Sequence, residues 1–224
     1  TRLQDLATAV EDAARRVGEL AGRLSRKRID AAKKLTTQVT KELSALRMER
    51  TRFAVEVLPL PGETSYGQMG HDAVEFVFSA NPGEPLKPLA KVASGGELSR
   101  VMLALKTILA ESDRVPVLIF DEVDAGVGGA VAEVMGTRLR DLSRHHQVLC
   151  VTHLPQVGSQ AHAHYLVEKQ VRQQRTVTQV RLLTEREREE EVARMLAGVT
   201  VTNSARAAAA EMIGSAKERQ ARSD

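Results

Sequence analysis

The sequence predicts an α/β fold: a mainly parallel sheet flanked by helices, preceded by one long helix of coiled-coil type. Three observations predict it. The first 50 residues contain no Pro and carry apolar residues at heptad spacing. Two short runs, Val117 to Phe120 and Val148 to Val151, are continuously apolar, as strands buried on both faces of a parallel sheet are. Segments of helical periodicity alternate with them, the pattern of βαβ units. The natural division is therefore 1–50 as a coiled-coil segment and 51–224 as an α/β lobe.

In the helix, Leu3, Leu6, Val10, Ala13, Val17, Leu20 and Leu24 follow alternating steps of three and four. The register then slips, and apolar positions resume at Ala32, Leu35, Val39, Leu43 and Leu46. The helix is expected to reach about Arg50, and a helix of about 50 residues at 1.5 Å each would measure ~75 Å. Such a rod must project or pair with a partner helix.

Phe53, Val55 and Val57 alternate with other residues, as do Val74, Phe76 and Phe78, which reads as two strands with one buried face each. Pro59-Leu-Pro-Gly, Gly67 and Gly70 make the connection between them. Asn81-Pro-Gly, Pro85 and Pro88 form a rigid approach to Ser94-Gly95-Gly96. Next come a helix carrying Leu98, Val101, Met102, Leu105, Ile108 and Leu109, the strand at 117–120, a helix from about Gly129 to Leu142, and the strand at 148–151. A short segment begins at Pro155, strands follow near Tyr165 to Glu168 and Val177 to Leu183, and helices near Glu187 to Leu196 and Ser204 to Glu218 close the chain.

Composition narrows the class. The 224 residues include one cysteine, no tryptophan and 32 Lys and Arg against 29 Asp and Glu. Cys150 alone cannot build a disulfide framework, and its apolar surroundings suit a buried thiol in a reducing cytosol. No run approaches the ~20 apolar residues of a membrane span, so the expectation is a soluble, cytoplasmic protein. A start at Thr1 rather than Met implies excision from something longer, or processing. The first 50 residues hold 12 Lys and Arg against 7 Asp and Glu, and the rest is slightly acidic, 20 against 22. Arg26-Lys27-Arg28 and Lys33-Lys34 could meet phosphates or simply form the solvated face of a helix.

Three motifs carry chemistry. Ser94 and Glu97 fit a capping box, but capping does not explain Gly95 and Gly96, which cost about 1 kcal/mol each against Ala in a helix. Glycines there let bare N–H groups approach an anion such as phosphate. Asp121 and Glu122 end an apolar strand at the edge where open α/β sheets bind ligands. One acid can hold Mg²⁺ and the other can orient and deprotonate water, or the pair can cap the following turn. His153 ends the next parallel strand, 32 residues after Asp121, one βαβ unit on, and becomes a candidate phosphate contact.

Other patterns fail. Val131 replaces the third glycine of a dinucleotide fingerprint after Gly126 and Gly128, and Val92 the first glycine of a nucleophile elbow around Ser94. His162 and His164 lack a third metal ligand nearby, the His145-His146 pair reads as loop surface, and two Tyr and four Phe make no stacking platform.

Taken together, these residues resemble the C-terminal lobe of an ABC-type ATPase head: Ser94-Gly95-Gly96-Glu97 the signature motif, Leu118 to Glu122 the Walker B strand, Asp124 to Gly129 the D-loop region, His153 the switch histidine. A long helix running into such a lobe resembles the SMC-like branch. The runs Lys91 to Lys106, Phe120 to Gly126 and Val148 to Val157 are similar to the bacterial RecN family of DNA double-strand-break repair ATPases, the likeness extending from about Asn81 to Lys169. Ala93 stands where Leu is common, and Gly128 where many SMC-like D-loops carry Asp, so no D-loop carboxylate role is carried to Gly128.

The resemblance implies ATP and Mg²⁺ as cofactors, Asp121 on the metal, Glu122 as general base, His153 on the γ-phosphate, and Ser94, Gly95, Gly96 and Glu97 on the γ-phosphate of ATP held by a second head. It implies as partners the N-terminal ATPase lobe of the same protein, a second head in a homodimer, and DNA, with no membrane and a nucleoid-associated place in the cytoplasm. No Gly-x-x-x-x-Gly-Lys-Ser/Thr loop occurs in the sequence, so hydrolysis is expected only from the full-length protein, not from this chain alone. Two other readings share part of the pattern. A transporter-type ATPase subunit would keep that loop in one uninterrupted domain, and a non-catalytic coiled-coil interaction module would leave Asp121-Glu122 and the double glycine unexplained.

Overall fold

The computed structural model describes residues 2–62, 66–92, 94–172 and 175–221 and divides into two compact units, 1–93 and 94–224. Ala93, at the signature-like run, lies outside the described residues.

In the first unit, helix α1 (Arg2–Ala45) buries Ala21, Ala32, Val39 and Leu43 and packs on strand β1 (Arg52–Pro59). Strand β2 (Asp72–Ser79) pairs antiparallel with β1, Phe53 opposite Phe78 and Val57 opposite Val74, and a short β3 (Lys87–Pro88) joins β2. One face of this sheet is apolar throughout, as alternation predicts, but it is buried only at one end: Phe53 and Phe78 are inside, while Val74 and Phe76 are exposed. The helix ends before Arg50 for a local reason. Arg47 is left-handed (φ 55°), its N–H donates to Ser44 O at 3.0 Å, and the Met48 N–H donates to Leu43 O at 2.9 Å. That is a Schellman cap, sealed by burial of Leu43 and Met48. Midway along α1, Ser25 Oγ and Arg28 Nη1 donate to the buried Asp72 carboxylate at 2.9 and 3.1 Å. Arg28 Nη2 also donates to Met69 O at 2.6 Å.

In the second unit, α2 (Gly95–Leu109) leads to β4 (Val117–Phe120), α3 (Gly129–Leu142) to β5 (Gln147–Cys150), and a single turn α4 (Pro155–Gly158) follows. Strands β4 and β5 are parallel, with Val117 opposite Gln147 and Phe120 opposite Cys150. Leu118 and Phe120 are buried, and α3 packs on α2 and on β5. The opposite face of this pair is apolar too, yet open: Ile119 is 71% and Val151 63% exposed. Strands β6 (Tyr165–Arg172) and β7 (Arg175–Leu182) form an antiparallel hairpin. Helices α5 (Glu185–Ala197) and α6 (Asn203–Ala221) then pack on one another through Val192, Ala193, Ala209 and Ile213. The α/β class with a long leading helix and a parallel sheet is present, accompanied by antiparallel pairs in each unit. None of the described helices is long and apolar enough to cross a membrane.

Candidate functional site

The three motifs of the second unit meet at the carboxyl edge of β4 and β5, and the turn Asp121 to Ala125 is what joins them. Ser94 caps α2, its Oγ accepting the Glu97 N–H at 3.4 Å. From the next turn of α2, Ser99 Oγ donates to Asp121 O at 2.8 Å, and Arg100 Nη1 donates to Ala125 O at 2.9 Å and Val123 O at 3.4 Å. Burial pushes the Arg100 guanidinium below its ordinary value, against the charge of Glu97.

This clamp explains the double glycine in a second way. A methyl group on Gly96 would lie 3.0 Å from Ala125 Cβ and 3.2 Å from Glu122 O, so a side chain there would have to push the turn back by a few tenths of an ångström. At Gly95 the obstacle is the Glu122 carboxylate itself, whose Oε2 lies over the helix start. A negative group is favoured there by the helix dipole and by the first-turn N–H groups, which have no intrahelical acceptor.

Glu122 adopts a left-handed backbone, φ 56°, a conformation that costs a side-chain-bearing residue about 1–2 kcal/mol. Such outliers collect at functional sites. Its N–H is taken by Asp121 Oδ1 at 2.9 Å, and both acidic side chains are exposed. His153 is brought in by Asp124, which is 4% exposed. Asp124 Oδ2 accepts from Thr152 Oγ1 at 2.6 Å and from the His153 N–H at 3.0 Å, and His153 Nδ1 lies 3.2 Å away. The imidazole is otherwise open to solvent, 72% exposed.

Cys150 adjoins this edge half-buried. Burial, then the charges of Asp124 and Asp121, push its thiol up to about 12, which disfavours the thiolate. His164 lies away from the edge; burial, then the charge of Arg188, lowers its value, and no group of three metal-ligating side chains occurs among the described residues. Reasoning from sequence reached Ser94 to Glu97, Asp121, Glu122 and His153 but passed over Ser99, Arg100 and the link from Asp124 to His153. Helical spacing of three and four from Gly96 is the available signal for the first two; Asp124 offers none, because its partners lie 28 and 29 residues away.

No family model matches the chain. It is 41% identical over 216 residues to the DNA repair protein RecN of Xylella fastidiosa, covering 96% of this chain and 39% of that protein. To RecN of Halalkalibacterium halodurans it is 47% identical over 183 residues, covering 81% of this chain and 32% of that one. Over most of its length the chain matches a segment of RecN proteins. It spans 39% or less of the length of these two RecN relatives. In fold it is similar to the Smc head domain with a coiled coil and joint from Pyrococcus yayanosii, at a TM-score of 0.56 and 16% identity, covering 84% of this chain and 34% of that one. At 16% identity that likeness is one of fold, an SMC-type head with a long helix.

Proposed function

We propose that this chain forms the C-terminal half of the ATPase head of an SMC-like protein acting in DNA double-strand-break repair and recombination. In this reading residues 1–50 belong to its coiled coil and 51–224 to its head lobe. The convergence of Ser94-Gly95-Gly96, Asp121-Glu122 and His153 on one turn carries the reading. The relatives are DNA repair proteins, which does not favour a transporter subunit, and the strained Glu122 does not favour a purely structural module.

Each group has a task. Asp121 Oδ1 is occupied by the Glu122 N–H, leaving Oδ2 as an oxygen ligand for Mg²⁺. A single carboxylate suits that ion, which keeps waters and substrate phosphates as its other ligands. Bound there with ATP, Mg²⁺ neutralises charge on the phosphates. Glu122 orients the attacking water and takes its proton. His153 contacts the γ-phosphate. Ser94, Gly95, Gly96 and Glu97 bind the γ-phosphate of ATP carried by a second head, so that ATP joins two heads and hydrolysis releases them.

The phosphate-binding lysine loop is absent from this sequence and is supplied by the N-terminal lobe of the same protein, for which the open face with Ile119 and Val151 is the natural seat. The protein works in the cytoplasm, on the nucleoid, with DNA as its partner. The test is Glu122→Gln in the chain joined to the remainder of its protein. Turnover should fall by about 10²–10⁴-fold with ATP still bound; undiminished turnover would remove Glu122 from the role.

A further inference from the structure

The group that holds the switch-like histidine has no assigned task. We propose that Asp124 is a positioning residue: its carboxylate holds His153 with Nδ1 inward and Nε2 aimed out of the edge, ready for a phosphate oxygen. The inference rests on the ATPase reading above for what Nε2 meets, and on geometry alone for how the ring is held.

Asp124 is almost fully buried yet faces no Lys or Arg among its hydrogen-bond partners in the described residues; its partners there are Thr152 and His153. A buried carboxylate without hydrogen bonds would be costly, and here a single oxygen, Oδ2, accepts from the Thr152 hydroxyl and the His153 N–H and lies 3.2 Å from His153 Nδ1. Two of the three ligands belong to the same residue. That fixes the backbone and the ring of His153 together, which a lone ring contact would not do. Thr152 completes the frame, since its Oγ1 also accepts the Leu154 N–H at 3.0 Å and so sets the turn that follows the ring. With Nδ1 facing the Asp124 carboxylate at 3.2 Å, Nε2 is the nitrogen left to act, since the partner of one imidazole nitrogen decides the role of the other.

The turn that carries Asp124 is the one clamped by Ser99 and Arg100 of α2. Asp124 therefore ties the His153 ring to the same rigid element that presents Glu122. A shift of that turn would move the general base and the γ-phosphate contact together.

Two measurements test this. In the unmutated chain, imidazole ¹⁵N NMR at mildly alkaline pH should report His153 protonated at Nδ1 and bare at Nε2. The reverse tautomer would overturn the proposal without any appeal to ATP. In the chain joined to the remainder of its protein, Asp124→Ala should lower kcat by about 10- to 100-fold with little change in KM, the size seen when the outer hydrogen bond of a working imidazole is removed. In a His153→Ala background the same substitution should lower kcat little further, since the ring through which Asp124 acts on turnover is already gone, although its bonds to Thr152 Oγ1 and the residue-153 N–H remain. Equal losses in both backgrounds would show that Asp124 acts on folding rather than through His153, and would overturn the proposal. If the joined wild-type protein bound ATP but never turned it over, the ATPase reading would fall, and the NMR result would still decide how the ring is held.

Discussion

The turn Asp121 to Ala125 and the first half of α1 show opposite degrees of self-sufficiency. Every carbonyl that the turn presents to α2 is taken: Asp121 O by Ser99, Val123 O and Ala125 O by Arg100, and Glu122 O by the Ala125 N–H. The seam of α1 is the reverse. Leu3 is 81% exposed and Leu6 56%, and Val10, Val17 and Leu20 are likewise uncovered, although their spacing is that of a packed coiled-coil face. Farther along the same helix Val39 and Leu43 are buried. The chain closes its chemical edge with its own atoms and leaves its helical seam without apolar cover.

That contrast can be broken by substitution. Leu43→Ala should lower the stability of the first unit by about 2–5 kcal/mol, because it empties a packed site. Leu6→Ala in the same chain should stay within about 0.5 kcal/mol. Denaturant melts of the two variants check this; a comparable loss for Leu6→Ala would mean that the seam is already covered in solution.

A finer comparison lies within the edge itself. Gly96→Ala presses against Ala125 and the Glu122 carbonyl, which are part of the clamped turn, and should cost about 1–3 kcal/mol. Gly95→Ala meets only the mobile end of the Glu122 side chain, so stability should scarcely change while the carboxylate is displaced. Thermal unfolding separates the pair, and equal losses would mean that the double glycine is not there to admit the turn.

The smallest expected effect is at the tie between α1 and β2. Burial opposes ionisation of Asp72, but hydrogen bonds from Ser25 and Arg28, with the charges of His71 and Arg28, outweigh it and hold the carboxyl below its ordinary value. A depressed folded value means that the contribution is complete above the ordinary aspartate value of about 3.9 and is lost as pH falls through the folded value. Asp72→Asn should flatten the acid limb of the stability curve of the first unit. An unchanged limb would show that the tie contributes nothing.

Much of this was legible from residue order. Heptad spacing located α1, alternation located β1 and β2, and apolar runs ending in Asp121 and near His153 located the edge. What escaped depends on long-range or atypical geometry. Arg47 takes the left-handed cap position that glycine usually marks, so the end of α1 at Ala45 carried no signal. The pairing of β6 with β7 as a hairpin was hidden because alternation gives a strand's faces and not its neighbour. Periodicity implied burial on both faces of β4 and β5, and one face is open, since burial needs a second surface as well as an apolar one. Gly95 and Gly96 read as an anion site, and the turn they admit became visible only once Glu122 and Ala125 were placed beside them.

In the proposed function this chain holds half of a head, with Glu122 as general base, His153 on the γ-phosphate and Ser94, Gly95 and Gly96 acting in trans, while its sequence has no lysine loop to hold the nucleotide. Steady-state Mg²⁺-ATP turnover, measured for the chain alone and for the chain joined to the remainder of its protein, tests it most directly. Turnover should be negligible for the chain alone and restored on joining. Robust turnover by the chain alone, abolished by Glu122→Gln, would contradict it.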